Sequence, residues 1–122
     1  MEQDTLQWIV ELSINEGKQA EFEKLAKEMI DGVRQSEPGT RKYQWFLSKK
    51  GNKCLVIETY DNSSSALTHT RGDAINKIFL PEILKIANVT RFEICGNPSE
   101  ELVRELAEDN PSIYRFVGGF SR

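Results

Sequence analysis

No apolar run in the 122-residue sequence approaches the ~20 residues that a membrane-spanning helix requires. Cysteine is nearly absent: Cys54 and Cys95 sit inside expected strands at no metal-ligand spacing, which points to buried inert thiols rather than to a disulfide scaffold. Basic blocks are also missing. The net charge is −3, with Lys and Arg interspersed among Asp and Glu, so the electrostatic footprint of a nucleic-acid binder is not there. The N-terminal MEQDTLQW has neither a basic region nor an apolar core, which is not how a signal peptide reads, and the expectation is a cytoplasmic protein. There is no repeat, no low-complexity segment and no glycine-rich phosphate or dinucleotide motif. The length suits a single domain over 1–122, able to bury about two thirds of its unfolded surface.

What is present is a clear periodicity. Leu6, Trp8, Val10, Leu12 and Ile14 alternate with mostly polar residues and predict a strand from Thr5 to Ile14. After Asn15-Glu16-Gly17, the residues Phe22, Leu25, Ala26, Met29, Ile30 and Val33 follow the helical i, i+3, i+4 template. Ser36-Glu37-Pro38-Gly39 ends that helix, because proline disfavours helix at the preceding residue and glycine accepts a tight turn. A strand from about Thr40 to Lys49 places Tyr43, Trp45 and Leu47 on one face, and Lys50-Gly51-Asn52 makes a hairpin to the next strand.

The stretch Leu55 to His69 organises the rest. Val56, Glu58 and Tyr60 alternate with Leu55, Ile57 and Thr59, so a carboxylate and a phenol point the same way from one strand. Asp61, Asn62 and three serines stop the strand and offer helix N-caps. Ala66 and His69 share a helix face. The single histidine thus comes close to Glu58 and Tyr60 at a strand-to-helix corner. Arg71-Gly72-Asp73 and Pro81 predict a helix broken into two or three pieces, a better account of Arg-Gly-Asp than adhesion. Val89 to Cys95 is the next strand, giving β-α-β-β-α-β, the ferredoxin-like α+β unit. An extension over about 97–122 follows: a short acidic helix capped by Ser99, ended at Asn110-Pro111, and a strand from Ser112 to Val117. In a sheet of order 4-1-3-2 the strands of the two cysteines flank the first, leaving their Cα atoms about 9 to 10 Å apart. That exceeds the ~7 Å limit for a disulfide.

Glu58-x-Tyr60, followed nine residues later by His69 with Ala66-Leu67 just before it, resembles the signature of antibiotic biosynthesis monooxygenase (ABM) domains. Glu37-Pro38-Gly39 leading to Tyr43, and Gly17-Lys18 with Phe22 at the first helix, are similar to that family's other landmarks, in the same order over roughly 5–96. The resemblance implies a dimeric α/β barrel, in which two copies pair through the sheet face that the helices leave uncovered. It also implies oxidation of a small aromatic or quinol substrate by molecular oxygen, with no flavin, metal or other cofactor. In that chemistry an electron-rich aromatic loses a proton so that its anion can pass an electron to oxygen, and the protein supplies an apolar slot, a base and groups that hold the oxyanion. His69 would be the base, Glu58 its orienting acceptor and Tyr60 a neighbour of the substrate, with Tyr43, Trp45 and Trp8 as walls. Each has a plainer reading: His69 as a structural hydrogen-bonding residue, Glu58 as an anchor of the corner, and the aromatics as core or dimer interface. Two other classes stay open. One is a heme-degrading relative with His69 on iron; the other is a non-enzymatic ligand-binding or stress-response module.

Overall fold

The computed structural model describes residues 4–72 and 74–122. Strand β1 runs over Leu6–Ile14, and Gly17, at φ 81°, turns the chain into helix α1, Gln19–Ser36. Gly17 matters here because a left-handed φ strains any residue with a Cβ. Strands β2 (Thr40–Leu47) and β3 (Lys53–Tyr60) form the expected hairpin. Asn62 caps helix α2, Ser63–Arg71, by accepting a hydrogen bond from the Ser65 amide at 2.9 Å.

The break in the second helical region is where the sequence places it. Helix α2 stops at Arg71, a π-helical segment covers Ala74–Phe79, and α3 is a single turn, Leu80–Ile83, with Pro81 in its first turn. Asp73, within the expected break, lies outside the described residues. The Asn76 side chain spans the break, donating to the His69 carbonyl at 3.0 Å and also to that of Thr70, so carbonyls freed at the end of α2 are satisfied.

Strand β4 begins two residues earlier than expected, at Ala87, and ends at Cys95. Helix α4, Glu100–Glu105, has Ser99 as its cap, the hydroxyl accepting from the Leu102 amide at 3.2 Å. A 3-10 turn over Ala107–Asp109 leads to β5, Ser112–Tyr114. The fifth strand is shorter than the expected Ser112 to Val117, and the residues beyond Tyr114 are exposed. Its short parallel ladder to β4 closes with the Gly96 amide donating to the Tyr114 carbonyl, and β5 is the edge strand of the sheet.

The sheet order is β2-β3-β1-β4-β5, the expected 4-1-3-2 with β5 added outside β4. β1 separates the strands of Cys54 and Cys95, and both thiols are free. Cys54 is buried as expected, whereas Cys95 is half-buried because it belongs to the opposite sheet face. Phe22, Ala26, Met29 and Val33 of α1 pack on Leu12, Ile14, Cys54 and Val56. A second cluster joins Leu6, Trp8, Tyr60 and Ile94 to Ala66 and Leu67 of α2 and to Leu102 and Leu106 of the extension. All these side chains lie on one face. On the other, Ile9, Leu55 and Ile57 are half-buried and Phe46 is exposed, and among the described residues neither core cluster brings a helix against them.

Candidate functional site

Strand register builds the floor of the site. Trp8 of β1, Glu58 of β3 and Tyr43 of β2 are direct cross-strand partners, so the three side chains form one row on the helix-covered face. Val10, Val56 and Trp45 form the next row, and Leu6, Tyr60 and Thr40 the row on the other side. Helix α2 lowers His69 onto the first row. Its ring centroid lies 5.4 Å from those of Tyr43 and Tyr60 and 6.1 Å from that of Trp8.

His69 stands between two carboxylates. Its Nδ1 lies 2.8 Å from Glu37 Oε1, and its Nε2 lies 3.5 Å from Glu58 Oε1. Glu37 follows α1 directly and is fixed by its backbone: its amide donates to the Val33 carbonyl at 3.0 Å and its carbonyl accepts from the Thr40 amide at 3.1 Å. The Thr40 hydroxyl also donates to Glu37 Oε1, at 2.8 Å. Glu58 Oε1 accepts a hydrogen bond from the Tyr60 hydroxyl. The result is a continuous chain Glu37–His69–Glu58–Tyr60 in which the acids are 5% exposed and the histidine 7%. Charged groups this deeply buried are rare unless paired.

Burial dominates the protonation chemistry. It pushes the Glu58 carboxyl above its ordinary range and the Glu37 charge adds to this, outweighing the opposing pull of His69 and of the Tyr60 hydroxyl. For His69 burial alone lowers the pKa, but the hydrogen bond to Glu37 and the charges of Glu58 and Glu37 raise it overall. Tyr43 and Tyr60 are both held well above the usual phenol range by burial and by the Glu58 charge, so both keep their protons. A proton on the Glu58–His69 pair therefore belongs to the pair.

Beside this chain lies a cavity of about 320 Å³. Trp8, Tyr43, Trp45, Glu58 and His69 all line it, so five of the six sequence-predicted site residues meet there. Tyr60 does not. Fully buried in the row behind, it touches Glu58 rather than the cavity. Sequence reasoning missed several contributors, Thr70 and Asn76 among them. Glu37 stood out only as part of a turn, yet its side chain reaches His69 across 32 residues of sequence. Phe92 enters the wall from β4, and Leu106 and Asp109 come from the C-terminal extension. The i, i+4 pair Leu102 and Leu106 was the readable signal that this extension has a core-facing side.

The sequence profile described as antibiotic biosynthesis monooxygenase matches residues 7–79. No curated protein matches the chain. Among solved structures, MupZ from Pseudomonas fluorescens is similar over 97% of this chain and 94% of its own, at 23% identity and a TM-score of 0.83. A candidate antibiotic biosynthesis monooxygenase from Caulobacter crescentus CB15 is 23% identical over 80% of this chain and 92% of its own, with a TM-score of 0.71. Another, from Nitrosomonas europaea, is 15% identical over 80% and 93%, with a TM-score of 0.69. At such identities the structures show a shared fold. The profile match covers more than half of the sequence and contains Glu37, Glu58, Tyr60 and His69, and on that ground the chain belongs to the antibiotic biosynthesis monooxygenase family.

Proposed function

We propose that the cavity is the active site of a monooxygenase in which the Glu58–His69 pair takes the hydroxyl proton of a phenolic or quinol-type substrate. The observation that carries this reading is the buried chain Glu37–His69–Glu58–Tyr60 along one wall of a mostly apolar cavity. A phenol is a weak acid, and an acceptor with a raised pKa is better matched to it than an ordinary carboxylate. Glu58, with Oε1 engaged by Tyr60 and facing His69, meets the substrate through Oε2. The proton moves from the substrate oxygen to this pair, and the electron-rich anion then reduces oxygen without flavin or metal. Where a ring CH₂ becomes a carbonyl, one oxygen atom enters the substrate and the other leaves as water. Trp8, Tyr43 and Trp45 hold the flat apolar body of the substrate.

Oxygen consumption with a panel of hydroquinones and naphthoquinols, in chelated and flavin-free buffer, tests this. His69→Ala is expected to lower turnover about 10²-fold while the fold is kept. Unchanged turnover removes the histidine from the mechanism.

A second reading is favoured by the raised Glu58 carboxyl. Burial makes Glu58 hold a proton more readily than an ordinary carboxylate does, and a protonated Glu58–His69 pair can give that proton to a substrate oxygen, which suits an isomerisation or the opening of a C–O bond with no oxygen consumed. Product formed at equal rate under anaerobic conditions selects this second reading.

A further inference from the structure

We infer that the cavity selects uncharged substrates against anionic ones, and that Asp109 of the C-terminal extension is a specificity-determining residue at its mouth. This rests on the cavity being the substrate site. None of the described residues lining it is a lysine or an arginine, whereas Glu58 and Asp109 are both in the lining and Glu37 stands directly behind His69. Among the described residues, His69 is the one lining side chain that can carry positive charge, and its nitrogens are already directed at Glu37 and Glu58. An anionic group entering would lose its water and find no free cationic donor. Burying an unpaired charge is far more costly than burying a hydroxyl or a carbonyl. A neutral oxygen meets no such barrier: Tyr43 lines the cavity and its hydroxyl can donate to it, and Thr70 Oγ1 and Asn76 Oδ1, in side chains whose own protons go to backbone carbonyls, can accept from a substrate hydroxyl. Moving the substrate proton to the Glu58–His69 pair leaves the total charge of the cavity unchanged, so the proposed chemistry does not require an imported anion.

Asp109 reaches the mouth through a specific piece of folding. Leu102 and Leu106 are buried in the second core cluster and hold the 3-10 turn Ala107–Asp109 against the cavity. Asn110 then takes a left-handed φ of 46° and ends the turn. Asn is among the few residues that adopt this conformation readily. Asp109 lies outside the family match over 7–79, so it adds selectivity on top of the family framework. Being exposed, it acts on approaching charges and is screened by salt.

The two tryptophans of the chain, Trp8 and Trp45, both line the cavity, so quenching of intrinsic fluorescence reports its occupancy. The experiment titrates the protein with 2-naphthol, 2-naphthoate and 2-naphthylmethylammonium at neutral pH without oxygen, so that no turnover enters. 2-Naphthol is expected to bind at least about tenfold more tightly than 2-naphthoate, and the ammonium probe more tightly than 2-naphthoate as well. Asp109→Asn should narrow the naphthol-to-naphthoate gap about two- to threefold at low ionic strength and leave it unchanged in high salt. A gap under tenfold, an ammonium probe that binds no better than 2-naphthoate, or no quenching by any probe overturns the selectivity. A gap untouched by Asp109→Asn overturns the role of Asp109. Oxygen uptake with 1,4-dihydroxynaphthalene and its 2-carboxylate separates this proposal from the one it rests on. Selective binding without uptake retires the oxygenation and leaves the selectivity standing, whereas equal uptake on both quinols does the reverse.

Discussion

Glu58 Oε1 lies 3.5 Å from His69 Nε2, while the opposite nitrogen of the same ring is held at 2.8 Å by Glu37. The second contact fixes the first. With Nδ1–H donating to Glu37, the ring cannot turn, and Nε2 must face Glu58. Glu37→Gln keeps the size and an acceptor for Nδ1–H but removes the charge that helps to raise the His69 pKa. The titration of His69 should therefore move to lower pH. The chain has a single histidine, so its ring signals in NMR report this without ambiguity. An unmoved titration would show that Glu37 has only a structural role.

Tyr60→Phe separates a wall residue from a tuning residue. The ring stays and the core is preserved, but the hydrogen bond to Glu58 that pulls its pKa down is lost. The limb of the rate profile governed by Glu58 should shift to higher pH, with kcat changed and KM nearly constant, because Tyr60 does not line the cavity. The stability cost is about 1 kcal/mol, the net worth of one hydrogen bond. A change confined to KM would place the hydroxyl on the substrate instead.

The elements of this fold were legible because each rests on a local pattern. The α1 template of Phe22, Ala26, Met29 and Val33 describes a helix with one buried stripe, and those four are its buried residues. Strand parity put Glu58 and Tyr60 on one face, and both are buried there. The Glu37–His69 bond was not legible, because it depends on where the end of α1 falls relative to α2, and no periodicity encodes that placement. Asp109 was hidden for the same reason, and the length of β5 for another: an edge strand ends where its ladder partner stops, not where its own β-formers do.

The uncovered sheet face predicts an assembly. Ile9, Leu55, Ile57 and Phe46 share it with polar neighbours such as Glu11, Gln44 and Glu93, and apolar side chains grouped on a sheet face within a polar surround make a surface for another protein. A twofold homodimer is the expected partner arrangement, at twice the 14.0 kDa of one chain. Light scattering at micromolar concentration should give that mass, and Ile57→Asp should reduce it to one chain. A monomeric wild-type protein would rule the arrangement out.

The same two buried groups make stability depend on pH in one direction. Glu58 has a folded pKa above its ordinary 4.5, so it binds protons more readily in the folded state than in the unfolded one. Its contribution is fully present below pH 4.5 and is lost as pH rises through the folded pKa. His69 is also raised, from 6.5, so its contribution is complete below that value and is likewise lost as pH rises through its folded pKa. Both losses have the same sign, and the melting temperature should fall from weakly acidic toward alkaline pH. Glu58→Gln replaces the titrating acid by a neutral amide of similar shape. It should flatten the part of the curve that begins near pH 4.5 and leave a remainder from His69, reduced because the Glu58 charge helps to raise the histidine. Thermal melts of the two proteins across this range decide the matter, and a wild-type melting temperature that climbs with pH above neutrality would contradict the buried-acid account of the site.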